Sequence, residues 1–287
     1  FYILLYTMLI VSFDGIFEFF LNKNLLSLFG LGIYIEPSNV HSRLSGLFRD
    51  EWVIGSYLIR LMPILIYLYL NINIDNIFKK IFFLTILTSS LTIILSGERA
   101  ALIYLFFLFF ILSIFLIKKT KKYKFFLFLP ILFSIFLTPL FNEKLKNRVI
   151  HGFENYTSLN SEKNIYLRYY ESSFKMFLDK PFFGYGPKMF REVCKNFIPQ
   201  DTHFGCSTHP HNHYAQLLGE TGFIGFLFLL IAFIYFFTNL FKLFLYDNKY
   251  NTRDYLSLVS ILTLFVINLQ PLIPTNNFFG NWINIFY

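Results

Sequence analysis

Seven apolar runs constrain this chain more than any motif does; they lie at about 1–21, 52–70, 81–96, 100–117, 125–141, 222–246 and 255–271. Most approach or exceed the roughly 17–25 residues that carry a helix across a bilayer. Backbone N–H and C=O groups find no water in hydrocarbon, so a spanning segment must bond to itself and is helical. Of the 287 residues 55% are hydrophobic and 22% aromatic, 41 of them Phe, while 15% are charged. A soluble core of this size has no room for so much aromatic surface, and lipid must act as its solvent. The expected fold is all-α: a polytopic transmembrane helix bundle with a long, partly helical extracytoplasmic loop over 142–215. One membrane domain is expected over 1–287, cut from a longer protein at both ends, with Phe278–Tyr287 starting a further helix.

The net charge of +8 lies largely in short clusters between the runs. Lys79 and Lys80 close the connection 71–80, Lys118, Lys119, Lys121, Lys122 and Lys124 fill 118–124, and Lys249 and Arg253 lie in 247–254. If the runs alternate, these three connections share a side, and short basic loops stay in the cytoplasm. The opposite side receives about 22–51, the turn Ser96-Gly97-Glu98-Arg99 and the segment 142–215. The chain shows no basic stripe with interleaved stacking aromatics, which argues against nucleic acid, and no Gly-x-x-x-x-Gly-Lys-Ser/Thr loop for a nucleotide.

Within the long segment, Ile165, Tyr169, Ser172, Ser173 and Met176 recur at helical spacing and predict an amphipathic helix near the membrane surface. Pro181 ends it and Gly184-Tyr185-Gly186-Pro187 turns the chain. Cys194 and Cys206 are the only cysteines. Paired in an oxidising compartment they would contribute on the order of 3 kcal/mol in the chain-entropy model.

His209-Pro210-His211-Asn212-His213 lies shortly before the sixth apolar stretch. An imidazole with an ordinary pKa near 6.5 suits a general base at neutral pH. His211 is the first choice, with His209 and His213 as alternates. Against a metal site stand the restraint of Pro210 and the lack of a clustered Cys or carboxylate ligand. Arg99, at the mouth of two helices, is either a turn charge paired with Glu98 or a fork for phosphate. Arg43 and Arg168 are each a snorkelling cation or a phosphate ligand. Arg60 falls inside a run, where it faces a polar cavity or snorkels.

His211-Asn212, nine residues, then Gly222-Phe223-Ile224-Gly225 resembles the His, Asn/Ser/Gln, nine residues, Gly-x-x-Gly motif of the O-antigen ligase family, shared broadly with O-antigen polymerases. Arg43-Leu44-Ser45-Gly46-Leu47-Phe48 resembles its Arg-x-x-Gly-x-Phe stretch, and Ser96-Gly97-Glu98-Arg99 its Ser-Gly-x-Arg turn. Arg168 followed by Pro181-Phe182-Phe183-Gly184-Tyr185-Gly186 resembles the segment in which Arg precedes Pro-x-x-Gly-x-Gly. The resemblance implies an inverting, metal-independent glycosyltransferase of the bacterial inner membrane, with its active site facing the periplasm and no cofactor. The implied donor is a glycan on undecaprenyl diphosphate. The implied acceptor is lipid A–core for a ligase, or a second lipid-linked glycan for a polymerase, in polysaccharide and lipopolysaccharide biosynthesis. His211 would be the base and Arg99, Arg168 and Arg43 would hold the diphosphate, supported by Asn212, His209, His213, Gly222 and Gly225. Membrane lipid is the further expected partner.

Two other classes remain open to the same sequence. A polysaccharide transporter or flippase would use Arg60 and Arg99 along a path and would want helices broken near the midplane. A non-catalytic assembly protein explains the helices but leaves the His–Asn–Gly-x-x-Gly spacing to chance.

Overall fold

The computed structural model describes residues 1–21, 23, 25–28, 43–48, 51–119, 164–197, 206–246 and 250–280. The expected span 125–141, Lys121, Lys122, Lys124 and Lys249, and the long segment before Asn164 lie outside the described residues. Every regular element described is helical: α1 Tyr2–Leu21, α2 Ile54–Asn71, α3 Asn76–Leu95, α4 Arg99–Lys119, α5 Ile165–Asp179, α6 His213–Leu245 and α7 Thr252–Leu269. Short helical turns lie at Leu25–Leu28, Gly46–Phe48, Phe190–Val193 and Cys194–Phe197. All but α5 of the seven are long and apolar enough to cross a membrane. The chain is therefore a polytopic helical membrane protein. It divides into two compact units, Phe1–Ile150 with Asn239–Ile267, and His151–Thr238 with Asn268–Tyr287.

In the first unit α1 and α3 meet through small and hydroxylated residues, which let helix backbones approach in lipid and bond across the gap. A Cβ on Gly15 would stand 2.5 Å from Thr92 Cγ2 and 2.8 Å from Ile54 Cδ1. Beside it Ser12 and Ser89 share a 2.8 Å hydroxyl contact, and Thr92 Oγ1 donates to Ser12 O at 2.8 Å. Pro63 lies inside α2; neighbouring helices make this tolerable in a membrane. Arg60 is 2% exposed and donates to Ser56 O at 3.2 Å. It is thus buried within the helices and does not snorkel.

The basic connections gather at one end of this unit. Arg253, at the start of α7, donates to Leu70 O, to Ile72 O (2.9 Å) and to Asn73 Oδ1 (3.4 Å), capping the C-terminus of α2. Lys118, at the end of α4, donates to Phe244 O and lies 4.6 Å from the Phe244 ring centroid, while Lys119 lies 5.3 Å from that of Tyr255. Lys79 and Lys80 differ from expectation: they are exposed in the first turns of α3, which starts at Asn76, so the connection before it is shorter than 71–80.

The second unit is organised by a small core of Tyr169, Met176, Phe190, Val193 and Cys194, with Tyr166, Tyr170, Tyr185, Met189, Phe197 and Cys206 packed against it. Asn164 caps α5, its side-chain oxygen accepting from Tyr166 N at 3.1 Å. Tyr169, Ser172, Ser173 and Met176 face inward as a set, but Ile165, read onto the same face, is exposed. The Cys194–Cys206 disulfide, with Cα atoms 5.6 Å apart, closes the chain beside this core.

Candidate active site

α6 begins at His213, nine residues before the apolar run that announced it. Asn212 is the reason. Its Oδ1 accepts from Tyr214 N (2.9 Å) and Ala215 N (3.1 Å), satisfying N–H groups that a helix start leaves unpaired. Its Nδ2 donates to Pro271 O at 2.7 Å, and Tyr214 Oη donates to Leu269 O at 2.5 Å, so the end of α7 and the residues after it hold the same corner. Gln216 continues the network, donating to Asn277 Oδ1 at 2.7 Å and accepting from Phe278 N at 2.8 Å.

His211 sits one residue before the cap at φ 56°. A non-glycine residue adopts this left-handed conformation only where its surroundings enforce it. The enforcing contact is Thr275 N donating to His211 O at 2.8 Å. The turn directs the imidazole away from α6 and onto α5. Its centroid lies 4.1 Å from that of His209, 5.7 Å from Tyr169 and 5.9 Å from Tyr166. His213, by contrast, is buried and edge-on to Phe278 at 5.4 Å.

The electrostatics separate these groups further. Burial, with the neighbouring His211 and Arg191 adding to it, pushes His209 down from 6.5 to about 3, against a backbone hydrogen bond with Thr275. His209 is neutral at physiological pH and only weakly basic. Burial likewise raises the Tyr169 phenol, which stays protonated. The imidazole of His211 therefore faces one neutral ring of its own kind and two aromatic rings of α5. Arg168 precedes Tyr169 on that helix and is half-buried.

The two glycine motifs form one backbone joint. At Gly222 α6 is interrupted (φ 67°, ψ −161°), and a Cβ there would stand 2.5 Å from Phe182 C and O. Phe223 N donates to Pro181 O at 2.8 Å, Tyr185 N to Gly219 O at 3.3 Å and Gly186 N to Glu220 O at 2.7 Å. Gly184 (φ 61°) lies against the Glu220 carbonyl group. Pro181–Gly186 thus docks into the break in α6, and only glycine provides both the dihedrals and the clearance. Glu220 pins the chain beyond: its carboxylate accepts from Phe190 N (2.8 Å), Lys188 N (3.1 Å) and Gln216 Nε2 (3.0 Å). Gly225 is helical and contacts the Thr221 side chain.

Arg43 and Arg99 belong to the first unit, whereas His211 and Arg168 belong to the second. Arg99 is the first residue of α4 and half-exposed. Its neighbour Glu98 does not serve it as the expected ion-pair partner. The buried Glu98 carboxylate turns to the N-terminus of α2, accepting from Gly55 N (2.6 Å), Ser56 N (3.1 Å) and Ser56 Oγ (2.6 Å). A carboxylate is favoured there by the orphan N–H groups and the helix dipole. Burial raises its pKa; those hydrogen bonds, and Arg43 nearby, oppose the shift. Arg43 also stacks near Trp52, at 5.9 Å from the ring centroid.

Sequence reasoning read Glu98 only as a partner for Arg99 and missed its place at the start of α2; Glu220, Tyr166 and Arg191 it missed outright. A single carboxylate next to a motif glycine or arginine carries no periodic signal, and its role depends on which helix end folds over it. The sequence matches the O-antigen ligase family over residues 84–230, just over half of the chain. The match includes Arg99, Arg168, His211, Gly222 and Gly225 and starts after Arg43. No curated protein matches the chain. With its spanning helices and the His–Asn–Gly-x-x-Gly corner built as described, the chain belongs to the O-antigen ligase family.

Proposed function

We propose that this protein transfers a glycan from undecaprenyl diphosphate to a sugar hydroxyl, as an O-antigen ligase, with His211 as the general base. The acceptor hydroxyl gives its proton to the imidazole while its oxygen attacks the anomeric carbon. The bond from that carbon to the diphosphate oxygen breaks, and a single displacement inverts the centre. No metal or cofactor enters this scheme. The leaving diphosphate gains negative charge, which fixed guanidinium groups stabilise. Arg168, on the helix that packs against His211, takes that role; Arg99 and Arg43 carry the same assignment on their motifs.

The observation that carries the reading is the division of labour among the three histidines. His209 is held neutral with a pKa of about 3 and His213 is packed against Phe278. His211 alone stands at a strained turn against another imidazole. A base needs a pKa close to the working pH, which disqualifies His209. The fixed corner formed by Asn212 and Thr275 supplies the rigidity that positioning requires.

The same reading sets the active site on the periplasmic side of the inner membrane. Lys118 and Arg253 mark a basic end at the close of α6 and the start of α7, and basic ends stay cytoplasmic. After its break at Gly222, α6 runs from Phe223 to Leu245, about 35 Å at 1.5 Å per residue, enough to cross a bilayer and leave the residues before the break on the far side.

The test offers purified protein a lipid-diphosphate glycan and two acceptors, lipid A–core and a second lipid-linked glycan. A product on lipid A–core is expected. Product only on the lipid-linked glycan would make the enzyme a polymerase, and no product on either would refute the transferase.

A further inference from the structure

Both faces of α5 are mixed: Tyr169 and Met176 pack inward beside two serines, and large apolar residues stand outward among Glu171 and Lys175. Its inward face carries Ser172 and Ser173, exposed by 3% and 1%, whereas Phe174 and Leu178 point outward at 50% and 61%. Beyond its end the turn tip adds Phe182 and Phe183, exposed by 67% and 77%. In water such a patch would be costly, and contiguous apolar surface outside a span marks an interaction site. Its place in the fold identifies what covers it. Phe223 N donates to Pro181 O at 2.8 Å, which fastens the tip beside Phe223 and Ile224. Those two are 47% and 53% exposed at the start of the apolar run 222–246, the level at which α6 enters the bilayer.

We propose that Phe182 and Phe183, together with Phe174 and Leu178, are immersed in the boundary between lipid headgroups and acyl chains around α6. Aromatic side chains favour that boundary, and an interfacial helix buries its apolar side about 5–10 Å deep. The tip that carries Phe182 and Phe183 is bonded to α6 beside the exposed Phe223 and Ile224, so the bilayer that α6 enters is the occupant proposed for it. The lysine between helix and tip fits the assignment: Lys180 Nζ lies 4.2 Å from the Tyr185 ring centroid, a cation at headgroup level. Because Tyr166 and Tyr169 of α5 pack on His211, immersion of this helix also sets the depth of the imidazole. The inference requires only that α6 spans a membrane and stands whether or not the transferase assignment does.

The test places a single tryptophan at the tip: Phe183→Trp, with Trp52→Phe and Trp282→Phe removing the native indoles, in the full chain reconstituted into liposomes. Lipids brominated near the headgroup end of the acyl chain should lower its emission about twofold, with a blue-shifted maximum and little effect of aqueous iodide. A red-shifted emission quenched by iodide would overturn the proposal by placing the tip in water. A blue-shifted emission insensitive to brominated lipid would overturn it equally, by placing the tip against protein. Phe182→Trp, read in the same way, covers the case in which the first variant does not fold.

Discussion

His209, His211 and His213 are spaced one residue apart and meet three different surroundings. Pro210 and Asn212 frame this: His209 and His211 meet ring to ring before the cap, while His213, the first residue of the helix, is turned onto Phe278. A consequence follows for acid stability. His209 has its pKa lowered from 6.5 to about 3, so between those values the native state binds fewer protons than the unfolded chain. Stability therefore rises with pH in that window: it is complete above about pH 6.5 and is lost as pH falls toward 3. Replacing His209→Gln should flatten this dependence, as thermal unfolding in detergent from about pH 7 to 4 would reveal. At Glu98 the expected effect is on stability at all pH values. Glu98→Ala strips three donors of their acceptor and should cost about 1–3 kcal/mol. Glu98→Gln, whose amide oxygen still accepts, should cost less in the same unfolding measurement.

At the scale of elements, the motif glycines turn out to be structural. Gly184, Gly186 and Gly222 lie about forty residues apart in two motifs, yet they close one joint between the turn after α5 and the break in α6. Gly222→Ala must bring Cβ into the Phe182 backbone at φ 67°; a loss of about 2 kcal/mol or more is expected. Limited proteolysis around 181–187 would register the opened joint, and unchanged protection would count against it. The Cys194–Cys206 bond stabilises the core on which Tyr169, and through it His211, rests. Converting both cysteines to serine should lower stability by on the order of 3 kcal/mol, and a maleimide should label the native thiols only after reduction. The six described spans and α5 were legible because hydropathy and helical spacing repeat along the chain. The start of α6 was not: His213 to Thr221 lies outside the apolar run and is helical because Asn212 caps it. Nor was the exposed apolar set Phe174, Leu178, Phe182 and Phe183, since the periodic residues Tyr169, Ser172, Ser173 and Met176 mark only the face that packs inward.

For the whole molecule, the distribution of Lys and Arg sets an orientation that single residues do not reveal. Lys118, Lys119 and Arg253 bind helix ends and rings at one end of the first unit, the end that the proposed topology puts in the cytoplasm. A cysteine replacing Lys79, exposed in the first turn of α3, should react with a membrane-impermeant maleimide only in inside-out vesicles. His211 stands out in the sequence because Asn212 follows it and Gly222-Phe223-Ile224-Gly225 comes nine residues later, as in the family motif it resembles. The residues that surround it do not, since Tyr166 and Thr275 reach it only through the folded chain. The most direct measurement is glycan transfer by His211→Ala in liposomes, beside wild type and His209→Gln, with insertion of each verified. The account predicts loss of at least about a hundredfold for His211→Ala and substantial activity for His209→Gln. Wild-type transfer by His211→Ala would contradict it.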